Sequence, residues 1–151
     1  MKKLLYVMLL MGVLCTMSNL AEAQVRFGAG LAYGDFPEEL GITANALVDL
    51  PGPIDVQPSL IYYLIDGSRT IWELNGDLHY SFFESTANVY VIAGLNLTRQ
   101  GFEGSEGVTE LGLNLGIGAT FLESGPISPF AELKYVVGDL DGIVLSGGVR
   151  F

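Results

Sequence analysis

From Glu110 to Phe121 the chain alternates without a break. Leu111, Leu113, Leu115, Ile117, Ala119 and Phe121 fall on one side, and Glu110, Gly112, Asn114, Gly116, Gly118 and Thr120 on the other. A repeat of two belongs to an extended strand whose two faces meet different surroundings. As a helix, the same residues would scatter their apolar side chains around the whole circumference. The repeat recurs elsewhere. Val25, Phe27, Ala29, Leu31 and Tyr33 alternate with Arg26, Gly28, Gly30 and Ala32. Trp72, Leu74, Leu78, Tyr80 and Phe82 alternate with Glu73, Asn75, Asp77, His79 and Ser81, and Ile143, Leu145, Val149 and Phe151 oppose Val144, Ser146, Gly148 and Arg150.

Turn-forming clusters of Gly, Pro, Asp and Ser punctuate this pattern: "GDFPEE", "DLPGP", "IDGS", "FESTA", "RQGFEGSEG", "LESGP" and "GDLDG". They predict eight strands, at 24–34, 40–49, 54–65, 69–82, 87–99, 107–122, 127–138 and 141–151. A soluble sandwich also alternates, but three features favour a membrane barrel. Several segments exceed the usual strand of about 5–6 residues and match the roughly 9–11 that cross a bilayer at a tilt. Glycine falls mostly on the polar face, at Gly28, Gly30, Gly41, Gly94, Gly112, Gly116, Gly118 and Gly148, which suits the crowded inside of a narrow closed wall. Aromatic residues of the apolar face gather at strand ends, Phe27, Tyr80, Phe82, Phe121 and Phe151 at one and Tyr33, Tyr62, Trp72 and Tyr135 at the other. Two such girdles bound a lipid-facing band. The predicted fold is therefore all-β, an eight-stranded antiparallel up-and-down transmembrane β-barrel. Pro58 disagrees locally, because proline cannot donate to a ladder; a bulge, or a membrane segment that begins near Ser59, is expected there, with the ladder broken.

The start of the chain agrees with export. Lys2 and Lys3 precede an apolar run from Leu4 to Cys15, and Ala21-Glu22-Ala23 offers a small-residue cleavage site. Leu14 stands where a lipoprotein signal wants a small residue before Cys15, so simple cleavage before Gln24 is expected. Residues 1–23 read as a signal peptide and 24–151 as one barrel domain. The net charge of −10 becomes −11 without Lys2, Lys3 and Glu22. A chain so acidic has no basic patch for nucleic acid.

The leader, the eight alternating strands and the closing "GGVRF" resemble the small outer-membrane β-barrel proteins of diderm bacteria, of the outer membrane protein X type and the barrel domain of outer membrane protein A. The stretch "VQPSLIYYLIDGSRTIWELNGDLHYSF" also resembles a barrel-domain family common in Bacteroidetes. The resemblance implies an outer-membrane location, termini in the periplasm, a monomer, and contact with outer-membrane lipid and lipopolysaccharide. It further implies that Phe151, a terminal aromatic, is presented to the outer-membrane assembly machinery. No peptidoglycan-binding domain is expected after the barrel.

The polar face collects Arg26, Asp49, Asp55, Glu73, Asp77, His79, Glu110, Glu132, Lys134 and Arg150. Buried charge is costly unless paired, so these residues are expected to pair inside the barrel. The expected groups are Arg26 and Arg150 with Asp49 and Asp55 near the termini, and Lys134 with Glu110 nearer the other end. An excess of acids leaves a thin cation-preferring water path as an alternative. "HYS" at His79–Ser81 resembles the His-x-Ser of lipid A deacylases, with Asp77 as an orienting carboxylate, but Phe82 and Phe83 follow where that family carries Asn-Ala. One histidine and no cysteine after the leader exclude the usual zinc patterns, and Asp139 and Asp141 in "GDLDG" lack the length of a calcium loop. No cofactor or metal is expected. The function expected is a structural or surface-interaction role without catalysis.

Overall fold

A computed structural model describes residues 24–121 and 125–151. The expected leader, and Leu122 of the sixth expected strand, lie outside the described residues. Eight strands follow in order: β1 (Val25–Gly34), β2 (Glu39–Asp49), β3 (Ile54–Tyr63), β4 (Arg69–Glu84), β5 (Ala87–Phe102), β6 (Ser105–Phe121), β7 (Ser128–Gly138) and β8 (Gly142–Arg150). Each pairs antiparallel with the next, and β8 returns to β1, which closes the barrel. The fold predicted from alternation and turn spacing is the one observed.

The largest difference lies at "RQGFEGSEG". Expected as a loop, it is a strand hairpin: β5 runs on to Phe102, β6 starts at Ser105, and only Glu103 and Gly104 turn. Gly104 has φ +81°, a left-handed conformation that glycine adopts without steric cost. A register shift between Gln100 and Phe102 absorbs the extra residue. β7 meets β6 only from Gly112, opposite Gly138. Residues Ser105–Leu111 therefore stand beyond β7, and among the described residues no strand pairs with them on that side.

Pro58 breaks the ladder, as its missing N–H demands. Asn45 pairs with Ser59 and Val48 with Val56, while the two positions between carry no pairing. The register is the same on both sides, so the break is a gap and not a bulge. On its other side Pro58 stays in register with Gly76.

Period two sorts the faces. Leu113, Leu115, Ile117, Leu74, Leu78 and Leu145 are exposed on the outside, while Asn114, Asp77, His79, Glu132, Lys134 and Arg150 are buried inside. The inner face of so tight a sheet has little room. A Cβ on Gly30 would run into the backbone of Gly147 and Gly148, and one on Gly148 into Ala29 and Gly30. These two glycines face each other across the β1–β8 seam, so the seam closes because neither carries a side chain. At the end away from the termini, Ala32, Ile61, Tyr63, Ile71, Val136 and Val144 form an apolar cluster inside the barrel, with Phe36 and Ile65 from the turns packed against it.

Gly30→Ala is expected to cost about 1–3 kcal/mol in urea unfolding, the range for an overpacked site. Gly76→Ala is the control. Nothing lies within 4 Å of a Cβ placed there, so its stability should change by less than about 0.5 kcal/mol.

Candidate functional site

The inner face of β4 orders the lumen. Read from the terminal end, it presents Ser81, His79, Asp77, Asn75, Glu73 and Ile71, all buried. Two hydrogen-bonded layers are built around this column.

The first layer centres on Glu132 of β7. Arg150 of β8 donates from Nη2 to Glu132 Oε1 at 2.6 Å and to Gln57 Oε1 of β3 at 2.6 Å. Its Nη1 donates to Thr120 Oγ1 of β6 at 2.6 Å. Tyr90 of β5 donates to the same Glu132 oxygen at 3.0 Å, and Gln57 Nε2 reaches both carboxylate oxygens at 3.1 and 3.2 Å. The Arg150 guanidinium also lies 4.2 Å above the centre of the Phe130 ring, a cation–π contact. Arg150 Nε also donates to Asn45 Oδ1 of β2 at 3.5 Å, so one carboxylate and one guanidinium join six strands. Gly118 makes this possible: a Cβ there would fall on the Tyr90 ring.

The second layer centres on Asp77. Lys134 Nζ donates to its Oδ2 at 2.9 Å, and Asn114 Nδ2 to its Oδ1 at 2.7 Å. Asn75 Oδ1 accepts from Asn114 and Asn96, each at 2.8 Å. Asn96 continues to Glu73 Oε2 at 3.1 Å, Tyr63 donates to Glu73 Oε1 at 2.8 Å, and Thr98 donates to Asn96 Oδ1 at 2.7 Å. Gly94 lies between Asp77 and Asn114 in register, and a side chain there would strike Asp77. Buried ion pairs hold best when their remaining lone pairs and protons are also bonded, and the amide and hydroxyl groups meet much of that need, while Asn75 Nδ2 and Asn114 Oδ1 have no partner among the described residues.

Several expectations on pairing change. Lys134 does not meet Glu110. β6 overshoots β7, so Glu110 lies past Gly112, where β7 ends, opposite Thr98 at the foot of the hairpin. Arg150 does not join Asp49 and Asp55; it turns to Glu132 on the neighbouring strand β7 and reaches across the lumen to Gln57. Arg26 and Asp49 do pair, at 3.0 Å, near the terminal rim with partial exposure. Asp55 lies in register between Asp49 and His79. The expectation of a charge-only network also missed Gln57, Tyr90, Asn96, Thr98 and Thr120, which provide most of the bonding. Parity could have found the β5 members, since Asn88, Tyr90, Gly94, Asn96 and Thr98 share one face of "ANVYVIAGLNLT".

His79 and Ser81 share the inner face, as expected, but no relay forms: among the described residues neither ring nitrogen of His79 has a hydrogen-bond partner, Asp77 and Ser81 included. Asp141 of the "GDLDG" turn accepts a bond from Tyr135 at 2.7 Å. On the outside, Phe27, Tyr80, Phe82, Phe121 and Phe151 are exposed towards the terminal end. Tyr33, Tyr62 and Tyr135 are exposed towards the other, with Trp72 half-buried. Phe151 exchanges two backbone hydrogen bonds with Phe27, at 3.0 and 2.8 Å.

Comparison with solved structures finds the same architecture. The N-terminal β-barrel domain of OprF from Pseudomonas aeruginosa superposes with a TM-score of 0.67 at 18% identity, covering 86% of this chain and 98% of that one. Neisserial surface protein A gives 0.57 at 18% identity, covering 83% and 93%. Ail, the attachment invasion locus protein of Yersinia pestis, gives 0.57 at 16% identity, covering 86% and 99%. No family model and no curated protein sequence matches the chain. At such identities the shared property is the fold.

The Arg150–Glu132 and Arg26–Asp49 pairs differ in what their loss should cost. Glu132→Ala would leave the Arg150 guanidinium buried without its counter-charge, and about 3–5 kcal/mol of stability should be lost in denaturant titration. Arg26→Ala, at the solvated rim, should cost less than about 1 kcal/mol.

Proposed function

We propose that the protein is an integral barrel of a bacterial outer membrane, with a structural and surface-contact role and no catalytic activity. The observation that carries this reading is the inverted wall. Apolar side chains cover its outside between two sets of aromatics, while its buried charges are paired inside. A soluble protein of this size has no reason to expose Leu31, Leu95, Leu113 and Leu115 together. In a bilayer those side chains meet acyl chains. The solved barrels of like fold support the location, and the expected leader agrees with it.

The end that carries the termini would face the periplasm and the β5–β6 hairpin the outside. The exposed end then carries Asp35, Glu38, Asp66, Glu103, Glu106, Asp139 and Asp141 against Arg69 and Arg99. Ail has been solved in complex with a heparin analogue, sucrose octasulfate. An end as acidic as this one would repel so anionic a ligand, which favours a basic partner or cations held by lipopolysaccharide. The bare edge at Ser105–Leu111 offers backbone groups for a partner strand. The apolar cluster around Ile61, Ile71 and Val144 opposes a water path, so the barrel should give no channel events in planar bilayers.

The location is tested by fractionation and by a heat-dependent shift on gels. Recovery as a soluble monomer without detergent would refute it. Leu113→Arg should cost about 2–4 kcal/mol in lipid vesicles, the charge penalty at mid-bilayer, while Glu106→Arg on the hairpin should leave folding unchanged. For the contact role, whole cells making Glu103→Lys/Glu106→Lys should bind a fluorescent oligolysine several-fold less than cells making the native chain, with the difference vanishing at high salt.

A further inference from the structure

His79 is the one histidine of the chain. Its side chain is fully buried, and neither Nδ1 nor Nε2 has a hydrogen-bond partner among the described residues. Its ring stacks on Tyr90, with centroids 4.3 Å apart and planes 10° from parallel. Nε2 stands 4.0 Å from Glu132 Oε1, just outside hydrogen-bond reach. A buried polar ring with both nitrogens unbonded is costly, and here it sits between the two ion-paired layers.

We propose that His79 is a proton-binding site inside the barrel, and that the Arg150–Glu132 pair responds to its occupation. The groups that face it come from every side. Asp77 lies on its own strand, Asp55 beside it on β3, Tyr90 on β5, Glu132 and Lys134 on β7, and Arg150 on β8. Arg26 and Asp49 pair with each other nearer the rim. A neutral imidazole has one donor and one acceptor; the protonated ring has two donors and a positive charge. Its nearest carboxylate oxygen is then Glu132 Oε1. That oxygen already accepts from Arg150, Tyr90 and Gln57, more donors than its lone pairs serve well. A charged Nε2–H competes with Arg150 for it, and the stacked ring can slide over Tyr90 to close the gap. Arg150 keeps Thr120 Oγ1, Gln57 Oε1 and the Phe130 face, so it exchanges one bond without being stranded. Proton uptake thus changes how β8, the closing strand, is held from inside.

The test is NMR of the ¹⁵N-labelled protein folded in neutral detergent micelles, from about pH 8 to about pH 3, which extends well past the range of an ordinary histidine. With one histidine, the ring signals need no disentangling. The expected result is a single transition of the His79 nitrogens, with the Arg150 side-chain N–H signals shifting at the same midpoint. In His79→Phe, which keeps a ring against Tyr90, the Arg150 shift should disappear. The proposal is overturned if His79 does not titrate over this range, or if Arg150 shifts with a different midpoint or not at all. An equal Arg150 shift in His79→Phe overturns it too. The first two outcomes are read on the native protein alone, so the proposal stands or falls even if the variant does not fold.

Discussion

A sheet of eight strands that closes on itself leaves an interior about as wide as the side chains that fill it. The rest of the structure answers to that limit. β1 and β8 approach closely because Gly30 and Gly148 face each other without side chains. Gly118 leaves space for Tyr90, and Gly94 for the contact of Asp77 with Asn114. Glycine is a poor strand residue on propensity, yet on this inner face a larger residue would collide with backbone. The outside has no such limit, and large apolar residues occupy it.

Narrowness also dictates what the interior is made of. Polar groups that cannot reach water must reach one another. Eight strands bring side chains from opposite walls within hydrogen-bond distance, so Arg150 on β8 can hold Gln57 on β3 and Thr120 on β6. Glu132 accepts from three strands at once, which makes the first layer a brace across the barrel. Towards the hairpin end the filling changes character, from carboxylates and amides to the Ile61–Ile71–Val144 cluster. A polar column capped by an apolar layer is a filled core.

The wall is not of equal height. β5 and β6 rise past β7 as a hairpin, carrying acidic residues and an unpaired edge away from the barrel. Unpaired edges invite association, and natural sheets usually blunt them with charge. Glu106 and Glu110 on this segment do so towards a second copy of an equally acidic chain. The same charges leave the edge attractive to a basic one.

Much of this was legible in the sequence, because a repeat of two assigns each residue a face whatever the strand later pairs with. Alternation from Glu110 to Phe121 settled which side chains lie inside, and glycine and proline clusters settled the number of strands. Even Pro58 announced its gap in the ladder, since a missing N–H is a local fact. Turn chemistry misled at "RQGFEGSEG", where glycines at a hairpin tip and a register shift look like those of a loop. Parity says that Lys134 points inward; it does not say how far β7 is displaced along β6. That stagger separated Lys134 from Glu110, and Lys134 meets Asp77 instead; the register of β7 with β8 places Arg150 by Glu132, and His79 is left between the layers. The sequence by itself determined the faces and the strand count, because both follow from backbone geometry repeated residue by residue. Only the tertiary structure decided which inward groups meet, because contacts across a lumen depend on the relative displacement of strands far apart in the chain.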